Sequence, residues 1–143
     1  MDKVNVINIL LVEDDTVDVM DARRTLGRMD ILYKMHVAKN GEEALEYLRE
    51  VSMNGGDRPD IILLDVNMPK MNGIELLTHV RQMEEWKDTK VFIITTSEEK
   101  EDKDIAKQLG VSGYIVKPLK FNNPSSIDSF NLMIDLLNIK NKS

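Results

Sequence analysis

Four short apolar runs in this chain end in polar residues whose chemistry suits a metal ion and a phosphoryl group. In chain order these endings are Glu13-Asp14 after Ile9–Val12, Asp65 after Ile61–Leu64, Thr95 after Val91–Ile94, and Lys117 after Tyr114–Val116. If the runs are strands of a parallel sheet, their carboxyl ends lie along one edge, where such sheets bind their ligands. Three carboxylates, a hydroxyl and an ammonium group would then share a small space, with Asp65 at its centre.

Glu13, Asp14 and Asp65 are predicted to form a site for a hard cation. Like charges held together raise one another's pKa and are costly unless a cation lies between them. Ligand sets made only of oxygen select Mg²⁺, Mn²⁺ or Ca²⁺ over zinc or copper, and Mg²⁺ keeps positions open for phosphate oxygens. Glu13 and Asp14 could instead cap the helix that follows. The position of Asp65 at the end of another buried run favours the metal site.

Asp65 itself could act as a metal ligand or as a nucleophile. A carboxylate that attacks phosphorus forms an aspartyl phosphate, and Mg²⁺ would offset its repulsion from the phosphoryl oxygens. Lys117 offers a compact positive charge for a phosphate oxygen, and Thr95 offers a hydroxyl donor. Taken singly, these two would more simply be a lysine directed to solvent and a threonine bonded to backbone. Together at one edge they indicate a phosphoryl site.

The elements that must position these residues alternate between strand and helix. Strands are predicted at Val6–Val12, Ile31–Ala38, Asp60–Leu64, Lys90–Ile94 and Gly113–Val116. Three of them are continuous apolar runs, which is typical of strands covered on both faces of a parallel sheet. Between the strands, apolar residues recur at helical spacing: Val19, Ala22, Leu26 and Met29; Ala44, Leu45, Leu48 and Val51; Ile74, Leu77 and Val80; and, from about Ser126, Ile127, Phe130, Ile134 and Leu137. Five strand–helix repeats predict an α/β fold with a doubly wound parallel sheet.

The predicted fourth helix, from Glu98 to Gln108, is unusually rich in charge. Only Ile105, Ala106 and the following Leu109 could anchor it to a core. Most of its charged residues are expected to form a solvated surface with charge pairs three and four positions apart. A helix with so few core contacts is held weakly and could shift at small cost.

Composition narrows the class of protein. The 143 residues suffice for one domain with a real core. A net charge of -6 and a pI of about 5.0 argue against binding to nucleic-acid backbones. The absence of cysteine excludes disulfides and thiolate chemistry. No stretch suits a signal peptide or a membrane span, so we expect a cytoplasmic protein with neither a membrane nor a nucleic acid as partner.

Five segments of the chain resemble the receiver domain of bacterial two-component response regulators. They are Ile9–Asp15 (ILLVEDD), Asn40–Arg49 (NGEEALEYLR), Ile61–Leu77 (IILLDVNMPKMNGIELL), Ile93–Ser97 (IITTS) and Gly113–Pro118 (GYIVKP). The acid pair, the DxxMPxxxG motif, the threonine and the Lys-Pro pair follow in the order of that family, and together they are highly specific. The ITTS and KPxxF stretches are similar to those of single-domain regulators that serve phytochrome-type histidine kinases.

The resemblance implies a flavodoxin-like (βα)5 fold with strand order 2-1-3-4-5. It also implies a set of metal ligands and a site of modification. Asp65 matches the phosphoacceptor of the family. Glu13 and Asp14 match the acids that bind Mg²⁺, and Asp65 and the backbone carbonyl of Asn67 complete the protein ligands. Glu13 stands where aspartate is commoner, a conservative difference that lengthens one arm of the metal site.

The resemblance gives further roles to residues around Asp65. Thr95 and Lys117 match the two residues that contact the phosphoryl group. Tyr114 matches the aromatic switch position, which turns inward when the threonine moves toward the phosphate. Asn67 and Ser97 occupy the two positions that tune the lifetime of the phosphoryl group in the family.

The resemblance covers nearly the whole chain, and little sequence remains after the last predicted helix. A receiver domain is expected over residues 5–140, with flexible termini at 1–4 and 141–143 and no output domain after the last helix. The Lys117–Pro118 peptide bond is expected to be cis. The connection Ser52–Pro59 and the segment after Pro118 are longer than usual in the family, and both could form partner surfaces.

The expected function is that of a stand-alone phosphoacceptor rather than a turnover enzyme. A histidine kinase, phytochrome-like or other, or a phosphotransfer protein would phosphorylate Asp65. The phosphoryl group would bias a surface made of the predicted fourth helix, fifth strand and fifth helix, which a partner or a second copy of the chain would bind.

Two other functions compete with this one. A phosphatase of the haloacid-dehalogenase type needs an acid two residues after its nucleophile, where Asn67 stands. An interaction module that works without phosphorylation is disfavoured by the intact set of site residues. His36 and His79 lie away from the acidic edge and are expected to be structural or surface residues, and Trp86 is expected to pack locally rather than to anchor a partner.

Overall fold

A five-stranded parallel sheet forms the centre of the fold. The computed structural model describes residues 6–66, 73–95, 104, 106–120 and 122–141, with side chains described as far as residue 137. The strands are β1 (Val6–Val12), β2 (Leu32–Ala38), β3 (Ile61–Asp65), β4 (Lys90–Thr95) and β5 (Gly113–Val116). Their order is β2-β1-β3-β4-β5, and each pairing is parallel. The predicted flavodoxin-like fold and strand order are confirmed.

Two strands end one residue later than the sequence predicts. Asp65 pairs with Ile94 across β3 and β4, and Thr95 pairs with Val116 across β4 and β5. Asp65 and Thr95 are therefore the last residues of their strands rather than the first residues after them. The ladder of backbone hydrogen bonds fixes both positions.

In the described part of the chain, four helices of ten residues or more cover the two faces of the sheet. They are α1 (Thr16–Gly27), α2 (Gly41–Asn54), α3 (Gly73–Gln82) and a C-terminal helix (Pro124–Asn141). The Asp15 side chain caps α1 by accepting from the N–H of Val17 at 2.8 Å, and Asn40 caps α2 by accepting from the N–H of Glu43 at 2.9 Å. Among the residues that the structure describes, no helix is long and apolar enough to cross a lipid bilayer.

Alternation along the strands divides the core into two layers. One strand residue faces α2 and α3, and the next faces α1 and the C-terminal helix. The first layer contains Leu10, Ile62 and Ile93 together with the predicted stripe of α2, Ala44, Leu45, Leu48 and Val51. The second contains Ile9, Leu63 and Ile94 together with Ala22, Leu26, Phe130, Ile134 and Leu137. Burial of each large apolar side chain of this kind contributes about 1.5–3 kcal/mol, so both faces of the sheet stabilise the fold.

The predicted fourth helix is described only near its end. Residue 104 and residues 106–108 are helical, and Ala106 is fully buried as predicted. The guanidinium of Arg81 on α3 donates to the Leu109 carbonyl at 2.6 Å, a contact that the sequence did not predict. Residues 98–103 and 105 lie outside the described part of the chain.

His36, His79 and Trp86, which the sequence analysis set apart from the predicted site, lie in local structural or surface positions. His36 stacks on Tyr47, with ring centroids 3.9 Å apart, and His79 is exposed on α3. Trp86 is only 2% exposed, and its indole N–H donates to the Ser52 hydroxyl at 3.0 Å. The local packing predicted for Trp86 is confirmed.

Gly73 is the point where α3 approaches the end of β3 most closely. A Cβ atom at this position would lie 2.5 Å from the Asp65 carbonyl oxygen and 2.8 Å from the Val66 Cα. Both are backbone atoms, so the end of β3 would have to move. We expect Gly73→Ala to lower the free energy of unfolding by about 1–3 kcal/mol, the usual cost of overpacking, as measured by urea denaturation.

Gly27 provides the matched control. It is the last residue of α1, and a Cβ atom there would meet nothing within 4 Å. Gly27→Ala should be neutral or stabilise the protein by up to about 1 kcal/mol, because it restricts the unfolded chain. Equal stability of the two variants would show that the contact between Gly73 and β3 does not constrain the fold.

Candidate functional site

Three of the predicted residues share one face of the sheet at its carboxyl edge. Glu13, Asp65 and Lys117 each stand two positions after a strand residue that faces α1 and the C-terminal helix. Extension of the register by one step beyond Val12 and Leu64 places Glu13 beside Asp65. The exposed fractions of the three side chains are 0% for Glu13, 2% for Asp65 and 13% for Lys117. The sheet therefore brings two carboxylates and one ammonium together out of contact with most of the solvent.

The Lys117 ammonium contacts three carboxylates. Its Nζ lies 3.1 Å from Glu13 Oε2 and donates to Asp65 Oδ2 at 3.3 Å. The shortest contact, 2.7 Å, is to Asp18 Oδ2 in the first turn of α1. An ammonium has three N–H donors, so Lys117 has as many donors as it has carboxylate neighbours among the described residues.

Asp18 was missed by the sequence analysis. It lies in the first turn of α1, three positions after the N-cap residue Asp15. Its place in the turn that follows the Glu13-Asp14 pair was the one signal in the sequence that could have joined Asp18 to the acidic edge.

The close carboxylates change the ionisation of Glu13. Burial raises the pKa of this carboxyl from 4.5 to about 8, and its hydrogen bond to Asp65 and the charge of Asp65 act in the same direction. The Asp15 N–H and Lys117 act in the opposite direction but do not restore the ordinary value. The negative charge of the site thus exceeds what one lysine can neutralise.

The neighbouring carboxylates of Asp18, Asp65 and Glu13 stabilise the charged form of Lys117. Burial alone would lower the pKa of its ammonium. The hydrogen bond to Asp18, the charge of Asp65 and the contacts with Glu13 outweigh that effect and raise the pKa. Lys117 therefore remains positively charged throughout the physiological range.

The acidic residues fit a hard divalent cation. Glu13, Asp14 and Asp65 each offer one oxygen, and these oxygens lie within 4.8 Å of one another. Glu13 Oε1 accepts from the Asp15 N–H at 3.1 Å. Glu13 Oε2 is buried and accepts no hydrogen bond of good geometry within the described residues, although the Lys117 ammonium is nearby. A buried carboxylate oxygen with spare acceptor capacity, next to a second acid, is a suitable ligand for Mg²⁺ or Mn²⁺.

Helix capping does not explain the two acids of the first motif. Asp15 is the cap residue of α1, and its side chain accepts from the N–H groups of Val17 and Asp18. Asp14 is exposed at the edge of the site. Glu13 shapes the turn through Oε1 only, which leaves Oε2 directed into the site.

Thr95 and Tyr114 belong to the opposite face of the sheet. Alternation places both on the side of α2 and α3, and Tyr114 packs against that layer. Their strands pair so that Tyr114 lies beside Ile93 and Thr95 beside Val116. Burial raises the pKa of the Tyr114 phenol, and Asp104 adds to the effect. The β4 segment from Ile93 to Thr95 therefore connects the strand beside Tyr114 with the edge of the sheet that carries the site.

The loop that carries Lys117 is fixed at several points. The Lys117 N–H donates to the Thr95 carbonyl at 2.8 Å, and the peptide bond to Pro118 is cis, as predicted. The Asn123 side chain donates to the Pro118 carbonyl at 2.9 Å. The buried Thr25 hydroxyl of α1 donates to the next carbonyl along the loop at 2.6 Å. These bonds hold the backbone of Lys117 in register with the strand ends.

Two predicted site residues lie outside the described part of the chain. They are Asn67, whose carbonyl was expected to bind the metal, and Ser97. Their roles as a metal ligand and as lifetime-tuning positions remain predictions.

Comparison with known proteins assigns the family. A family model for the response regulator receiver domain matches residues 9–125. The chain belongs to this family. It is a receiver domain of a response regulator in two-component signalling. The predicted domain limits of 5–140 are wider than this match and remain a prediction.

Similar proteins include single-domain regulators. The receiver domain is 33% identical over 115 residues to the probable methanogenesis regulatory protein FilR2 of Methanothrix harundinacea, covering 80% of this chain and 74% of that protein. It is 32% identical over 110 residues to the response regulator Rcp1 of Synechocystis, covering 76% and 75%.

Solved structures agree with this assignment. The phosphorylated cyanobacterial phytochrome response regulator RcpA has a TM-score of 0.78 at 28% identity, covering 97% of this chain and 98% of that one. The Mn²⁺-bound form of Rcp1 has a TM-score of 0.75 at 27% identity, covering 95% and 96%. The similarity to regulators of the phytochrome type, predicted from the ITTS and KPxxF stretches, is confirmed.

The raised pKa of Glu13 predicts a pH dependence of stability. The carboxyl ionises near pH 4.5 in the unfolded chain and near pH 8 in the folded one. Between these values the folded protein binds a proton that the unfolded chain does not, so the stability of the metal-free protein falls as pH rises. Glu13→Gln removes this loss. Its stability relative to the unsubstituted protein should therefore grow from about pH 5 to about pH 8 and then level off.

Urea denaturation at stepped pH in the presence of a chelator measures this difference. Glu46→Gln, at an exposed position on α2, serves as the control and should keep a constant offset from the unsubstituted protein. A Glu13→Gln offset that does not change across the same pH range would contradict the burial of an uncompensated carboxyl at this edge.

Proposed function

We propose that this receiver domain is a phosphorylation-controlled switch in which Asp65 accepts the phosphoryl group. The observation that carries the proposal is the position of the Lys117 ammonium, 3.3 Å from the Asp65 carboxylate at a buried strand end. Glu13, Asp14 and Asp65 would bind Mg²⁺, with the backbone carbonyl of Asn67 as a further ligand. The Mn²⁺-bound form of the similar protein Rcp1 supports a divalent cation as the ligand.

The proposed reaction is a transfer from a phosphohistidine. A carboxylate oxygen of Asp65 attacks phosphorus, the bond from phosphorus to the histidine nitrogen breaks, and the imidazole leaves as the phosphoryl group moves to Asp65. Lys117 and the Thr95 hydroxyl would donate to the phosphoryl oxygens. Mg²⁺, when bound, neutralises charge on Asp65 and on those oxygens. Asn67 and Ser97 would set how long the phosphoryl group survives.

The donor is proposed to be a histidine kinase or a phosphotransfer protein. The similarity to RcpA, a phytochrome response regulator, supports a phytochrome-like kinase. After phosphorylation, Thr95 would move toward the phosphoryl group. The Tyr114 side chain would then turn inward, into the space that Thr95 leaves. The surface of the predicted fourth helix, β5 and the C-terminal helix would then bind a partner or a second copy of the chain.

Receiver domains generally do not turn over a substrate, and we propose that this one assists only its own phosphorylation and dephosphorylation. An acidic net charge of -6 supports a protein rather than a nucleic acid as partner. We propose a cytoplasmic location with no membrane contact.

Asp65→Asn tests the site of modification. We expect the unsubstituted protein to gain an acyl phosphate from acetyl phosphate in the presence of Mg²⁺. The variant should gain none, because its amide oxygen is a poor nucleophile. Intact-protein mass spectrometry measures the incorporated phosphate, and hydroxylamine identifies the acyl phosphate by removing it.

Asp128→Asn, an exposed acid on the C-terminal helix, is the control and should be labelled normally. Labelling of Asp65→Asn at the same rate as the unsubstituted protein would refute the assignment of Asp65. Continuous release of phosphate from a monoester by the purified protein would point to a phosphatase instead.

Thr95→Ala tests the coupling between the site and Tyr114. The chain has three tyrosines, so fluorotyrosine labelling gives Tyr114 its own ¹⁹F signal, with Tyr33 and Tyr47 as internal references. With Mg²⁺ and beryllofluoride, a phosphoryl mimic, the Tyr114 signal should shift in the unsubstituted protein and in Thr95→Ser. Thr95→Ala should still bind beryllofluoride but lose most of this shift in the Tyr114 signal. The variant lacks the hydroxyl that would donate to the phosphoryl mimic and move toward it. A full shift in Thr95→Ala would exclude Thr95 as the link.

A further inference from the structure

Asp18 makes the shortest contact with Lys117 in the site. The distance of 2.7 Å compares with 3.1 Å to Glu13 and 3.3 Å to Asp65. Asp18 lies on α1 rather than at a strand end, and the group of oxygens suited to a metal ion does not include it. The side chains of Asp18 and Lys117 are 15% and 13% exposed, so this ion pair is shielded more than a surface pair.

Independent contacts fix both members of the pair. The side chain of Asp15 accepts from the N–H of Asp18 at 3.3 Å, which orders the first turn of α1. The hydrogen bond of 2.6 Å from Thr25 to the Leu119 carbonyl ties α1 to the loop just after Lys117. The relative position of the two elements therefore does not depend on the ion pair itself.

A metal ion would remove the other two partners of Lys117. Glu13 and Asp65 belong to the proposed metal site, and oxygens that bind a divalent cation are poorer acceptors for an ammonium. The cation would also repel the ammonium. Asp18 would then be the carboxylate that still attracts Lys117 once the other two have bound metal.

We propose that Asp18 is a positioning residue that keeps Lys117 beside Asp65 when the metal ion is bound. This inference rests on the proposed function and deepens it. One N–H of the ammonium stays on Asp18, and the N–H donors on the side of Glu13 and Asp65 become available to the phosphoryl oxygens. Asp18 thus contributes to phosphoryl binding without touching either the metal ion or the phosphoryl group.

Asp18→Asn distinguishes positioning from a simple effect of charge. Removal of a negative charge near an anion site would by itself tighten the binding of an anion. Loss of positioning has the opposite sign. We expect Asp18→Asn to bind beryllofluoride in saturating Mg²⁺ about fivefold more weakly, the size expected of one partly exposed ion pair. Asp18→Glu, which keeps the charge, should recover most of the affinity.

The binding of Mg²⁺ alone gives a second readout. Without Asp18, Lys117 depends on Glu13 and Asp65 and competes with the metal, so Mg²⁺ affinity should also fall by about fivefold. In a Lys117→Met background the same substitution should have a clearly smaller effect, because no ammonium is left to compete. This double-mutant cycle isolates the part of the effect that passes through Lys117.

Isothermal titration calorimetry of the four proteins of the cycle, and of Asp18→Glu, provides the measurements. Unchanged or tighter beryllofluoride binding by Asp18→Asn, or an equal loss of Mg²⁺ affinity in both backgrounds, would overturn the positioning role while leaving Asp65 as the proposed acceptor. Failure of the unsubstituted protein to bind beryllofluoride with Mg²⁺ would instead overturn the proposed function.

Discussion

A single lysine ammonium among carboxylates is the interaction on which the rest of this site depends. Glu13 and Asp65 are buried at neighbouring strand ends, where their mutual repulsion is poorly screened. Lys117 offsets that repulsion, yet the pKa of Glu13 stays raised to about 8. The site is therefore short of positive charge. A divalent cation at the proposed metal site would relieve this shortage and would allow an anionic phosphoryl group to bind beside Asp65.

The parallel sheet separates the residues of the site onto its two faces. Because side chains alternate along each strand, Asp65 and Lys117 fall on the side of α1, while Thr95 and Tyr114 fall on the side of α2 and α3. The acidic site on one face is thus adjacent to the strand ends that carry Thr95 and Tyr114 on the other face. The backbone hydrogen bond of 2.8 Å from the Lys117 N–H to Thr95 joins the two sides at the edge.

Much of this arrangement could be predicted from the sequence, because the buried parallel strands of this chain appear as short apolar runs that end in polar residues. The ends that carry Glu13, Asp65 and Lys117 were predicted correctly as one edge, and family resemblance added the strand order. Asp18 was missed because its contact depends on how α1 lies across the sheet, which helical periodicity does not fix. The one-residue extensions that include Asp65 and Thr95 arise from backbone pairing, which apolar runs do not encode.

The most direct test of a phosphoryl site built around Lys117 is a crystal structure with Mg²⁺ and beryllofluoride. We expect beryllium bonded to the Asp65 carboxylate and the metal ion on Glu13, Asp14 and Asp65. The Lys117 ammonium should lie within hydrogen-bonding distance of both a fluoride and the Asp18 carboxylate. Beryllofluoride bound at another residue, or Lys117 directed into solvent while Asp65 carries it, would contradict the account.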